Sequence, residues 1–203
     1  MEVIKHTKFI WQYLNVFDNN LCDHVREECL EHLHYNDMAY KRDRNHIVQN
    51  DSYNLSFESR QNPNLFLRKK LWDTDQKVND VYSKVQDHYC SNNALFQYTL
   101  SNLSVIGFNT EYHFRHYSKN DLYHWHCDLH YEKTFVLSGI LYLNDDFGGG
   151  GTRFLMDKLT VQPIKNSMLF FPCGPYFIHK SVPIKYGEKT IIWSCFDAVC
   201  EKP

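Results

Sequence analysis

The residues best suited to chemistry lie in Tyr123-His124-Trp125-His126-Cys127-Asp128 and, much farther along the chain, at His179. In an extended strand, residues two apart project to the same face. His126 and Asp128 are therefore expected to look into one space while Trp125 and Cys127 look away from it, leaving Cys127 a buried, inert thiol. With His179 added from a distant strand, they would form a two-histidine, one-carboxylate face with coordination positions left open, the arrangement that suits Fe(II) oxygen chemistry. Spacing alone leaves rivals. His130-Tyr131-Glu132 repeats the histidine-x-carboxylate pattern, and His124 shares the strand face of His126. In a chain with 12 histidines a chance match is expected, so the motif needs context.

The context lies downstream. The run His179-Lys180-Ser181-Val182-Pro183-Ile184-Lys185-Tyr186-Gly187-Glu188-Lys189 resembles the distal-histidine segment of Fe(II)/2-oxoglutarate oxygenases of the prolyl 4-hydroxylase group. There the histidine is followed by a V-x-P or related turn, a glycine, and a Lys or Arg at the position of Lys189. Tyr142-Leu143-Asn144-Asp145-Asp146 and Gly149-Gly150-Gly151-Thr152 resemble that family's YLND stretch and glycine-rich turn, and Leu169-Phe170-Phe171-Pro172 its strand before the distal histidine. Tyr117 and Tyr123 match the tyrosines ahead of its H-x-D pair. The glycine usual between those tyrosines is absent, and Gly-Gly-Gly-Gly-Thr stands where Gly-Gly-Glu-Thr is common. This ordered set runs from Phe108 to Phe196 and favours His126 with Asp128 over the downstream rival.

The resemblance implies a double-stranded β-helix (jelly-roll, cupin-like) core in which His126, Asp128 and His179 bind Fe(II). It implies that Lys189 pairs with the distal carboxylate of 2-oxoglutarate, that Tyr142 shares that carboxylate, and that Tyr117 lies near the metal-chelating end. Trp193 and Cys195 share strand parity with Lys189 and are expected to pack toward the same interior. The implied reaction hydroxylates a C–H bond using O2, with 2-oxoglutarate decarboxylated to succinate and ascorbate as a reductant. A prolyl residue in a peptide or protein is the first substrate expectation. A free amino acid or other small metabolite is the alternative, and a non-catalytic cupin-like binding protein is the reading from another class. An intact Asp128 favours hydroxylation, because related halogenases leave that ligand position vacant.

Such a site needs strands to carry it, and from Leu103 onward the runs LSVIGF, YHFRHY, TFVLSGILYL, SMLFFP and KTIIWSCF are separated by turn-forming clusters. This predicts an antiparallel sandwich or barrel. Gly148 to Gly151 follow a strand and open no helix, so they are expected to form a turn rather than a phosphate cradle. In the first half, Leu21, Val25, Cys29, Leu30 and Leu33 recur at helical spacing behind Asp18, Asn19 and Asn20, predicting a helix over 21–34. Val78, Val81, Tyr82, Val85 and Tyr89 predict a second helix, with Asp73 and Gln76 as its capping box. The polar stretch 36–61, with Lys41-Arg42-Asp43-Arg44, is expected to be a solvated loop or a substrate lid. The whole is mainly β with supporting helices (α+β): a single catalytic domain over 1–203, with a helical and loop support region at 1–102 packed on one sheet of a β core at 103–200.

Composition excludes other classes. Hydrophobic residues make up 43% of the 203, ample for a core. A formal net charge of -2 gives no basic surplus for phosphate contacts, and the paired arginines of nucleic-acid demethylases are absent after His179, so nucleic acid is not an expected partner. No apolar stretch approaches the roughly 20 residues of a membrane span, and polar residues break the amino-terminal run as they would not in a signal peptide. Seven scattered cysteines without a CxxC pair suggest neither a disulfide framework nor a zinc ribbon, which points to a reducing, cytoplasmic setting.

Overall fold

In a computed structural model of the chain, residues 1–18, 20–35, 43–44, 48–61, 65–102, 104–129 and 134–200 are described. His130, Tyr131 and Glu132, and 36–42 and 45–47 of the polar stretch, lie outside them. Strands β1 (Glu2–Lys5) and β2 (Trp11–Leu14) precede helix α1 (Leu21–Tyr35). Strands β3 (Asp43–Arg44) and β4 (Val48–Asn54) lead through α2 (Leu55–Gln61) to α3 (Leu65–Asn92) and α4 (Ala94–Asn102). Next come β5 (Val105–Thr110), β6 (His113–Tyr117), β7 (Leu122–His126), β8 (Phe135–Tyr142), β9 (Gly148–Gly149) and β10 (Thr152–Phe154). Strands β11 (Thr160–Val161), β12 (Ser167–Pro172), β13 (His179–Ser181), β14 (Ile184–Tyr186) and β15 (Lys189–Cys200) complete the chain.

The strands pair antiparallel in the order β1-β2-β12-β8-β15-β6-β4-β7-β13-β10-β11. β4 is the hinge of this path: Asp51–Asn54 pair with β6, whereas Val48 and Gln49 pair with β7. The two halves face each other, since Lys189 on β15 reaches Ser181 on β13. This is the expected jelly-roll arrangement, and strand alternation explains it. Met168 and Phe170 of β12, with Ile192 and Phe196 of β15, face the helices. Leu169, Phe171 and Ile191 face the space between the sheets.

α1 agrees with its expected span. α3 begins well before Asp73, so Asp73 and Gln76 lie within it instead of capping it. Fully buried Leu71 continues the Val78 stripe one heptad upstream, which extends the helix. Region 1–102 also contributes strands, a correction to its reading as helices and loops. β1 and β2 are too short to announce themselves, but backbone pairing of β2 with β12 holds them. Likewise 48–61 is no structureless loop. β4 carries polar side chains yet is paired on both edges, so ladder hydrogen bonds rather than apolar alternation define it.

α3 docks on the major sheet through Val78, Tyr82, Val85 and Tyr89, all fully buried. The Tyr82 hydroxyl donates to the Ile192 carbonyl at 2.6 Å, fixing the helix against the site-bearing strand β15. Gly139 on β8 makes room for it: a Cβ there would lie 2.7 Å from Tyr82 Cε1 and 2.9 Å from Phe170 Cε2. Gly139→Ala is therefore expected to destabilise the fold by about 1–3 kcal/mol through overpacking, measured as a lowered denaturation midpoint at unchanged m-value.

Candidate active site

His126 closes β7 and His179 opens β13, and the two are register partners across that antiparallel pair. Cross-strand neighbours bring their side chains together, so the ring centroids are 4.3 Å apart. Asp128 arrives differently from the strand alternation expected. β7 ends at His126, and a tight turn in which the Leu129 N–H donates to the Cys127 carbonyl at 2.9 Å returns Asp128 to the same side. Its Oδ1 lies 3.6 Å from His126 Nε2 and its Oδ2 3.7 Å from His179 Nε2.

The hydrogen bonds to the two imidazoles engage their Nδ1 atoms and leave each Nε2 facing Asp128. His126 Nδ1 contacts the His124 carbonyl at 2.7 Å and His179 Nδ1 the Phe177 carbonyl at 2.9 Å. A carbonyl only accepts, so each Nδ1 carries the proton and each Nε2 turns a lone pair toward Asp128. Burial, with the neighbouring His179 next, pushes the His126 imidazole down to about 4, so it is neutral and able to ligate at physiological pH. Asp128, only 8% exposed, has a buried Oδ2 with no hydrogen-bond partner among the described residues. A buried carboxylate with one orphaned oxygen, set against two imidazole lone pairs, is costly unless a cation sits among them. The donor set fits Fe(II). Tyr123 stacks on His126 at 3.8 Å and Phe171 meets His179 edge-on at 4.8 Å, holding both rings in place.

Beside the trio, Lys189 is 2% exposed, and its Nζ donates to Ser181 Oγ at 2.6 Å and to the Gly150 carbonyl at 3.0 Å. No carboxylate neutralises it in these contacts. Burial, and secondarily Arg115, pull its amine down to about 7. Gly150, at φ 68°, lets its carbonyl approach the lysine; a Cβ there would crowd Lys189 Cδ at 3.2 Å. The expected glycine turn thus has a part in the site. Asn144 clamps the start of β15, accepting from the Thr190 N–H at 2.8 Å and donating to the Glu188 carbonyl at 2.7 Å.

Tyr117 lies in the cavity wall with its ring centroid 4.3 Å from Lys189 Nζ. Tyr142 stands one residue behind that wall, its hydroxyl 2.7 Å from Oγ1 of Thr152, which does line the cavity. His124 is exposed, meeting the site only through its carbonyl. Trp125 faces outward beneath Lys180. Cys127 is half-buried rather than buried, because the strand ends beside it. Trp193 and Cys195 face inward as their parity requires.

Arg115 escaped the sequence reading. Its guanidinium lies over Trp193 at 4.4 Å and over Tyr123 at 5.2 Å. Parity with Tyr117 along β6 was the available signal. The space left open among these side chains is about 20 Å³, room for one water molecule.

Residues 112–196 match the model of the 2OG-Fe(II) oxygenase superfamily. Solved structures similar to the chain include a prolyl-4-hydroxylase from Pseudomonas putida (17% identity, TM-score 0.67, covering 93% of this chain and 92% of that one). A viral collagen prolyl hydroxylase from Paramecium bursaria Chlorella virus-1, solved with 2OG, is another (16% identity, TM-score 0.63, covering 94% and 97%). So is a Trichoplax adhaerens prolyl hydroxylase in complex with a hypoxia inducible factor peptide (15% identity, TM-score 0.66, covering 94% and 84%). No curated protein matches the chain by sequence. The likeness to the 2OG-Fe(II) oxygenase superfamily thus lies in segment 112–196, which carries His126, Asp128, His179 and Lys189, and the solved structures share the fold over nearly the whole chain.

Proposed function

We propose that the protein hydroxylates a prolyl residue of a peptide or protein, with Fe(II) held by His126, Asp128 and His179 and 2-oxoglutarate anchored by Lys189. The observation that carries the reading is a buried Asp128 carboxylate, its Oδ2 without a hydrogen-bond partner among the described residues, set against the Nε2 atoms of His126 and His179, together with a buried lysine on the facing strand that donates to the neutral Ser181 hydroxyl and Gly150 carbonyl. When bound, iron, 2-oxoglutarate and O2 together supply an oxidant: one oxygen atom of O2 enters the substrate C–H bond, the other enters succinate, and CO2 leaves.

The chain's own residues orient, shield and charge-balance. The His124 and Phe177 carbonyls hold the Nδ1 protons so that each imidazole offers Nε2. Lys189 Nζ exchanges its neutral partners for the distal carboxylate of 2-oxoglutarate, a charge-assisted bond in a site nearly closed to water. Tyr117, beside Nζ, contacts the same co-substrate, and Tyr142 acts on it through Thr152. The stacked rings of Tyr123, His126, Trp193 and the guanidinium of Arg115 confine the reacting centre.

Two features support a peptide over a free amino acid. An open, largely apolar cavity of about 520 Å³, walled by Phe9, Phe96, Val136 and Phe177, adjoins the loop that carries His179, and a single metabolite does not need it. The similar structures are prolyl hydroxylases, one holding a peptide. We extend the proposal to ascorbate as a reductant and to an intracellular, reducing setting, in keeping with seven free cysteines. Among the described residues no helix is long and apolar enough to cross a membrane. Incubation with Fe(II), 2-oxoglutarate, ascorbate and a proline-rich peptide library is expected to add one oxygen to proline-containing members, located by tandem mass spectrometry. Oxidation confined to proline-free controls or to free amino acids would overturn the substrate assignment.

A further inference from the structure

We propose that Cys173, Cys195 and Asp128 form a second metal site, for a thiophilic divalent cation such as Zn(II), whose occupation draws Asp128 away from the iron-binding histidines. The ligand atoms of these three residues lie within 4.8 Å of one another. Cys173 and Cys195 are both free thiols, with Sγ atoms 4.0 Å apart. Two thiolates bound at about 2.3 Å to one tetrahedral ion stand roughly 3.8 Å from each other, so the pair is already spaced for zinc. The carboxylate that completes the set is the buried one whose Oδ2 lacks a hydrogen-bond partner.

Access differs for the two sites. Cys173 lines the open cavity of about 520 Å³, which gives a cation a path to the thiols without passing Arg115 and Trp193. Ligand softness separates the preferences: two sulfurs and an oxygen select Zn(II) over Fe(II), and zinc also stands above iron in the general order of affinities. Because Asp128 belongs to both sets, the sites antagonise each other, and iron loading falls as zinc rises. The inference goes beyond the hydroxylase reading, sharing with it only Asp128.

Cobalt(II) tests it by spectroscopy, independently of turnover. The full chain titrated with Co(II) is expected to develop a near-ultraviolet sulfur-to-cobalt charge-transfer band. That band should persist in His126→Ala and vanish in Cys173→Ser/Cys195→Ser, while the latter still binds cobalt through the histidines. On the wild type alone, X-ray absorption of the zinc-loaded protein is expected to show sulfur in the first shell, which keeps the test decisive should the double variant fail to fold. Stoichiometric zinc should also displace more Fe(II) from the wild type than from the double variant. Absence of the band and of sulfur scattering, or a band that survives both serine substitutions, would overturn the site; equal iron displacement would overturn the antagonism. Absence of 2-oxoglutarate turnover in the iron-loaded, zinc- and cobalt-free wild type, with the band formed in a separate cobalt titration, would count against the hydroxylase reading and leave this site standing.

Discussion

His179→Ala is expected to lose Fe(II) and 2-oxoglutarate turnover together while keeping the fold. The imidazole is 3% exposed and is one of two nitrogen donors facing Asp128. Removing only an outer-shell partner of a metal ligand costs roughly 10–100-fold in affinity, so deleting the ligand itself should exceed that range. His179→Gln, close in volume, controls for the cavity that alanine leaves between Phe154 and Phe171. Iron retained per chain after gel filtration is the measurement. Both variants should fall far below the wild type with unchanged circular dichroism, and full retention in either would remove His179 from the ligand set.

Lys189→Ala should separate the co-substrate from the metal. Truncating one partner of a buried, hydrogen-bonded charge pair costs about 2–5 kcal/mol, so the dissociation constant for 2-oxoglutarate should rise roughly 30-fold or more while that for Fe(II) hardly moves. An equal loss of both would count against the assigned role. The pH dependence has a definite sign. Burial lowers the free amine from its ordinary 10.5 to about 7, so above pH 7 the lysine is neutral in the empty site and ionised once paired with a carboxylate. Binding of 2-oxoglutarate at pH 8 should therefore take up a proton, and affinity should weaken by up to about tenfold per pH unit above 7. Calorimetry in buffers of different ionisation enthalpy reads this directly, and the uptake should vanish in Lys189→Ala.

The part of the site legible in the sequence was the part set by ordered motifs on strands. His126, His179 and Lys189 meet because β7, β13 and β15 pair and face as their alternation requires. Asp128 was assigned to the right space by the wrong cause, since a turn rather than the strand delivers it. Arg115 had only its strand parity with Tyr117 to mark it, and the dithiol had no signal at all. Each matters through contacts between segments distant in sequence, and no spacing along β6, β15 or the segment after β12 announces that Arg115 meets Trp193 or that Cys173 meets Cys195. The fold shows the same division. α1 and the long apolar strands carry their own periodicity, whereas β1, β2 and β4 exist because neighbouring strands offer unpaired backbone. The start of α3 was misplaced because a good capping pair inside a helix looks the same in sequence as one at its end.

The most direct test of the iron and keto-acid site is the conversion of 2-oxoglutarate to succinate by the purified wild-type chain. With Fe(II), ascorbate and O2, succinate should accumulate even without a peptide, should increase when a hydroxylated peptide is present, and should cease in Asp128→Ala. A wild-type protein that holds one Fe(II) per chain and forms no succinate under any of these conditions would contradict the account.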